Sequence, residues 1–295
     1  MPHLRRYPGR MLMHLYPLSL ALALTGQGAA LQSSPPIHTE PNADWSGARV
    51  VMLTGFGDYF AQSTDGETKL VKPDGVGVNI VAVIHRVEGD RVWIKANGNG
   101  DVPVGWISRS NVILLDSAIA YFTLKVEHDP KDWDSFLRRA EAEHALNERD
   151  AAIADYTRAI ELHSQEPFLF LRRGRMFRIL KDCPHAAADF EKAARLRPEW
   201  AEAYNMAAGV YVDCPDASWR DPAKAIVLIK QAMILSSNPT YVTVLALAYF
   251  RSGDLDKAVT AQRQAVESPS FPPSYREEAL RQLHDYEVAL AARKH

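Results

Sequence analysis

Arg172, Arg175 and Arg178 recur every three residues, so on a helix they share one face. A guanidinium is a planar fork of donors that matches a carboxylate or phosphate with two parallel hydrogen bonds, and three on one face describe an anion-binding stripe. The alternative is a solvated basic stripe paired with nearby glutamates, because exposed ion pairs are common and weak. Cys183 and Cys214 are the only cysteines, and each precedes a proline. Two thiols exclude a disulfide scaffold and a four-cysteine zinc site. They leave either one bridge or two unpaired, partly buried thiols, and a bridge requires Cα atoms within about 7 Å.

No other residue set has the spacing of a reactive centre. The ten histidines are scattered, with His144, His163 and His185 near expected helix ends. A His-Glu-x-x-His pair, a nucleophile elbow and a phosphate loop are all absent from the sequence. Gly98-Asn99-Gly100 begins like a dinucleotide fingerprint but lacks the third glycine and falls in a hairpin turn. The expectation is a non-enzymatic chain with no catalytic residues, no metal and no cofactor. Phe56, Tyr59, Phe60, Trp93 and Trp106 make a second candidate set. Aromatic surfaces of this kind hold proline-rich peptides; the alternative is that the two tryptophans pack the core or rim of a small domain.

Charge narrows the choice of partner. The 34 basic and 36 acidic residues leave a net charge of −2, which argues against nucleic acid or a broad anionic membrane surface. Hydrophobic residues make up 47% of the chain, enough for a packed core.

The elements that must position these residues change along the chain. Residues 1–30 run from basic (Arg5, Arg6, Arg10) through apolar (Met11 to Leu24) to small (Gly28, Ala29, Ala30), the order of an export signal. The apolar core is shorter than the ~20 residues a membrane span needs, so a cleaved signal is expected over an uncleaved inner-membrane anchor. No later stretch is apolar enough to span, so no membrane contact is expected after cleavage. Residues 31–44 are proline- and serine-containing and read as a linker. Over 45–115, five short β-branched runs separated by tight turns predict a small barrel: 48–53, 78–87, 91–96, 104–107 and 111–115.

From residue 116 the apolar period becomes helical and the sequence repeats. Ala118, Ala152 and Ala186 are spaced by 34 residues, as are Phe122, Tyr156 and Phe190, and Ala140, Gly174 and Ala208. A 34-residue period with small residues at fixed points is the signature of tetratricopeptide (TPR) repeats. Each repeat is two antiparallel helices, and the small residues stand where the helices cross. Residues 116–270 hold a half repeat and four full ones, the third with an insertion running from Cys214 to Pro222. Residues 271–295 supply a charged closing helix of the kind a solenoid end needs. In the repeat register the first helix of each pair lines the concave groove, which places Arg138, Arg172, Arg175, Arg178, Asn205 and Met206 there as candidate ligand residues. The lysine–asparagine pattern of chaperone-type carboxylate clamps is absent apart from Asn205.

Three further motifs carry a resemblance. Gly89-Asp90-Arg91-Val92-Trp93-Ile94, Val104-Gly105-Trp106-Ile107 and Val112-Ile113 look like a bacterial SH3-like domain, and Asn111-Val112-Ile113-Leu114-Leu115-Asp116 passes directly into Ala118-Ile119-Ala120-Tyr121-Phe122. With Cys214-Pro215-Asp216 followed by Arg220-Asp221, the chain resembles exported SH3-like/TPR proteins abundant in planctomycete bacteria. The resemblance implies a multidomain chain: a small all-β SH3-like barrel followed by an all-α TPR solenoid of antiparallel helix pairs in a right-handed superhelix. For function it implies binding or scaffolding, and the leading reading is a periplasmic or cell-surface adaptor that binds a protein or peptide. The second reading is a cell-wall protein whose barrel binds peptidoglycan, and an enzyme is a distant third.

Overall fold

The computed structural model describes residues 44–53, 59–62, 68–71, 81–96 and 104–293. The expected export signal at 1–30, the linker before Asp44, Phe56 and the Gly98–Gly100 turn lie outside the described residues.

The β-rich part is one antiparallel sheet of seven strands: β1 (Arg49–Met52), β2 (Tyr59–Gln62), β3 (Thr68–Val71), β4 (Val81–Glu88), β5 (Arg91–Ala96), β6 (Val104–Ser108) and β7 (Val112–Leu114). Its order is β3-β2-β6-β5-β4-β1-β7. This corrects the expected five-stranded barrel: among the described residues the sheet is not closed, with β3 and β7 at its two edges. The added strands come from a stretch whose turn-rich composition hid them. β2 and β3 are four residues each, too short to show alternation, and they are stabilised by pairing with each other (Phe60 opposite Leu70) and with β6 (Phe60 opposite Trp106).

Val50, Ile84, Val92, Ile94, Ile107 and Val112 form a buried face of this sheet, and Val51 and Ile113, which alternation turns the other way, are buried as well. That core runs on without a break into the helices through Leu115, Ala118 and Phe122, because β7 passes directly into α1 (Leu115–His128). Arg49 Nη1 donates to the Ala145 carbonyl at 3.0 Å, so the sheet is also held to the end of the second helix.

The helices follow as α2 (Trp133–Ala145), α3 (Arg149–Leu162), α4 (Pro167–Ile179), α5 (Cys183–Leu196), α6 (Ala201–Asp213), α7 (Pro222–Leu235), α8 (Thr240–Arg251), α9 (Leu255–Glu267) and α10 (Pro273–Ala292). They pair as α2 with α3, α4 with α5, α6 with α7 and α8 with α9. Asp132, Asp182, Asp221 and Asp254 cap α2, α5, α7 and α9 by accepting from Ser135, His185, Lys224 and Lys257 backbone N–H groups. The turn inside three of the pairs needs a left-handed residue: Asn147 (φ 68°), Lys181 (φ 63°) and Gly253 (φ 82°). Glycine meets that need without strain, asparagine tolerates it, and lysine rarely adopts it.

Crossings are made by residues with little or no side chain. Ala140, Ala152, Ala159, Ala186, Ala193, Ala208, Ala225, Ala246 and Ala258 are all fully buried. At Gly174 a β-carbon would stand 2.9 Å from Phe190 Cε1 and 3.1 Å from Asp189 Cβ, so α4 and α5 approach closer than alanine allows. No described helix is long and apolar enough to cross a membrane.

Candidate functional site

The arginine stripe on α4 does not remain a stripe. Arg172 is buried, and its Nε lies 3.2 Å from Glu141 Oε1 on α2. The same carboxylate oxygen accepts the Tyr156 hydroxyl of α3 at 2.6 Å, so a buried anion is shared between a cation and a phenol. Burial and the adjacent Glu141 charge push the Tyr156 hydroxyl well above its ordinary range, which keeps it a donor. Arg172 also stacks on Phe168, 4.5 Å from the ring centre.

Arg175, one turn on, is half-buried and donates from Nη2 to Glu202 Oε1 on α6 at 3.1 Å. Burial and then the neighbouring Arg172 lower the Arg175 pKa, the usual result of crowding two cations out of water. Arg178 is exposed. Its Nη1 stands 3.7 Å from where a β-carbon of Gly209 would be. One helix face thus carries a core cation, a bridging cation and a surface cation.

Arg138 is not a groove residue. It is 2% exposed, its Nε bonds Asp134 Oδ2 at 2.6 Å, and its Nη1 donates to the Met52 carbonyl of β1. It fastens α2 to the sheet. Asn205 and Met206, on α6, are both partly buried. The Asn205 side-chain oxygen is enclosed without a hydrogen-bond partner among the described residues, and Met206 packs against the core. His144, at the end of α2, has its pKa lowered by burial, with Arg172, Arg149 and Arg175 adding repulsion and Glu141 opposing it.

A second arginine series was not singled out in the sequence. Arg139 forks onto Asp155 (Nε–Oδ2 2.6 Å, Nη2–Oδ1 2.8 Å) and donates to Thr123 at 3.1 Å. Thirty-four residues later, Arg173 forks onto Asp189 at 2.8 Å through both nitrogens and donates to Thr157 at 3.0 Å. Each fork ties the two helices of a pair to each other and to the helix before. The signal was present: Thr123/Thr157, Arg139/Arg173 and Asp155/Asp189 all keep the repeat spacing.

On the sheet, Trp93 and Trp106 stand opposite each other on β5 and β6, both half-buried. Their rings meet edge to face at 5.4 Å, and the Arg91 guanidinium lies 5.7 Å above Trp106. They occupy the side of the sheet away from Val92, Ile94 and Ile107, so they are not the core of the domain. Tyr59 and Phe60 lie on β2, with Phe60 opposite Trp106. Cys183 and Cys214 are joined, with Cα atoms 6.1 Å apart. Among the described residues no group of histidine, cysteine, aspartate and glutamate could hold a metal ion.

These helix pairs are those of a TPR-like solenoid. Residues 240–270 match the family model for the tetratricopeptide repeat. A tetratricopeptide repeat protein from Parabacteroides merdae is similar in structure at a TM-score of 0.51, with 14% identity over 60% of this chain and 67% of that one. YrrB, a TPR protein with an unusual peptide-binding site, is 22% identical over 59% of this chain and 98% of that one, at a TM-score of 0.45. MamA from Desulfovibrio magneticus RS-1 is 19% identical over 52% of this chain and 84% of that one, at a TM-score of 0.47. No curated protein matches the chain in sequence.

Proposed function

We propose that this chain is a non-catalytic scaffold that binds a protein or peptide partner on the face formed by α4, α6 and α8. The carrying observation is the division of labour on α4. Arg172 and Arg175 are neutralised by Glu141 and Glu202, while Arg178 stays exposed beside the Asn205–Gly209 face of α6. Beyond it, α6 and α8 contribute Met206, Val244 and Leu247, partly buried and packed against the core. A segment with one acidic residue followed by apolar ones suits that arrangement: one charge-assisted bond for placement and apolar area for affinity. The test is capture of partners by the full chain and by Arg178→Glu, read by mass spectrometry. Partners lost from the variant at unchanged melting temperature support the reading; identical partner sets refute it.

We read the sheet as an SH3-like module. Two features support this: β1 pairs with both β4 and β7, and one short 3-10 turn, Arg109–Asn111, separates β6 from β7. A second role follows from the Trp93–Trp106 pair with Arg91 above it, a half-exposed aromatic surface suited to a glycan or peptide of the cell wall. Retention of the full chain on purified peptidoglycan, lost in Trp106→Ala, is the expected result; equal retention of both proteins rejects it. Export to the periplasm or cell surface belongs to the same proposal. A disulfide between Cys183 and Cys214 supports it, because such bonds persist in oxidising compartments.

A further inference from the structure

The Cys183–Cys214 bond joins two adjacent repeats at the same edge. Cys183 is the first residue of α5, directly after the α4–α5 turn; Cys214 ends α6 and begins the insertion. The insertion has little else to hold it. From Asp213 to Asp221, Cys214 alone is buried, Arg220 is half-buried and the other residues are exposed. Arg220 spends its donors inside the segment, on the carbonyls of Cys214 (2.7 Å) and Pro215 (3.3 Å), and Asp216 accepts from Ser218 two residues on. Two backbone bonds tie the segment to α6: Cys214 N–H to the Val210 carbonyl at 3.1 Å and Asp221 N–H to the Tyr211 carbonyl at 3.0 Å. The turn on the other side of the bond carries Lys181 at φ 63°, a conformation that lysine rarely adopts.

Along the α4–α6 seam the contacts descend in order. Arg175 pairs with Glu202 in the first turn of α6, Arg178 lies across Gly209 two turns later, and the disulfide closes the end. The preceding seam, between α2 and α4, has the Glu141–Arg172 pair and no covalent link.

We propose that the Cys183–Cys214 bond is a redox-sensitive clamp on the α4–α6 seam. Closed, it holds the last turn of α6 and the insertion against the α4–α5 turn. Reduced, it releases both while the other helix pairs stay folded, since each repeat contacts only its neighbours. The reductant is a dithiol. One of its thiolates attacks the Cys214 sulfur and Cys183 leaves as a thiolate, the better leaving group because it sits at a helix N-terminus. The second reductant thiolate then displaces Cys214. Two electrons and two protons pass to the protein, and the reductant is left as a disulfide. Both protein sulfurs are buried, so exchange waits on local opening of the insertion. The inference deepens the reading of this seam as a binding face, but its test reads the seam itself and stands whether or not a partner binds there.

The test is amide hydrogen exchange, followed by mass spectrometry, on the full chain as purified and after reduction by a dithiol with the thiols blocked. A Cys183→Ala/Cys214→Ala variant runs in parallel. The expected result is exchange at least tenfold faster in peptides covering 180–184 and 211–222, with α2, α3 and α9 unchanged. Equal exchange in both states overturns the clamp. So does uniform acceleration along the chain, which marks a global staple, and so does the finding of two free thiols in protein purified from its own cells under non-reducing conditions. If the variant fails to fold, the reduced natural chain decides, and its wholesale unfolding also overturns the proposal.

Discussion

Arg173 grips Asp189 with two nitrogens, each 2.8 Å from its oxygen, and with its third reaches Thr157 of the preceding helix pair. Asp189 is buried, and burial raises its pKa while Arg173 pulls it back, so the carboxylate depends on its partner. Arg173→Ala leaves that charge enclosed without its counter-ion, and a loss of about 3 kcal/mol is expected. Arg173→Met with Asp189→Leu removes both charges and should recover most of it. Urea denaturation of the two variants gives the answer; equal losses would show that the fork acts by shape, not charge.

Along α4 the cost of removing an arginine should fall with position. Arg172→Ala strands Glu141, leaving Tyr156 as its near partner in the core, and about 3 kcal/mol is expected to be lost. Arg178→Ala alters an exposed side chain and should change stability by less than about 0.5 kcal/mol. Thermal or chemical melts of the pair test this, and comparable losses at both positions would contradict the assignment of core and surface roles.

Two glycines on neighbouring helices should respond in opposite directions. At Gly174 an added methyl meets the fully buried ring of Phe190 at 2.9 Å, and overpacking is expected to cost about 1–3 kcal/mol. At Gly209 the nearest atom is Arg178 Nη1 at 3.7 Å, and alanine should gain up to about 1 kcal/mol from helix propensity. Denaturation midpoints of Gly174→Ala and Gly209→Ala, measured together, check both signs.

Glu143 supplies a pH dependence. Burial and the Asp155 charge raise its pKa from the ordinary 4.5 to about 7, with Arg139 opposing. Between those values the folded chain holds a proton that the unfolded chain has released. This contribution to stability is therefore complete at acid pH and is lost as pH rises through about 7. Glu143→Gln removes this contribution to the slope. The variant should be the more stable protein above neutrality and converge with the natural chain as the pH falls toward 4.5, the ordinary value. Denaturation midpoints across that window decide it; parallel curves would show Glu143 already ionised in the fold.

Periodicity alone reveals the solenoid. Ala118, Ala152 and Ala186 mark helix crossings because a crossing admits only small side chains, and that constraint repeats wherever the unit repeats. The Thr–Arg–Asp forks keep the same spacing, but a polar residue at the repeat period fits a solvated surface as well as a buried pair, so spacing alone does not reveal them. β2 and β3 were hidden for another reason: a four-residue strand carries too little pattern, and its stability comes from partners remote in sequence.

What the amino-acid order determines by itself is whatever depends on near neighbours: the helices, their caps, their turns and the place of each small residue. It places Arg172, Arg175 and Arg178 on one face and Cys183 and Cys214 at two turns. It does not say that Arg172 meets Glu141, that Arg175 meets Glu202, or that Arg138 leaves the groove to reach Met52. Those outcomes depend on how far each helix is shifted and rotated against the next. A shift of one turn, about 5.4 Å, carries an arginine from a carboxylate into water. Only tertiary packing sets that shift, and so only the folded chain decides which of three equivalent arginines is left for a partner.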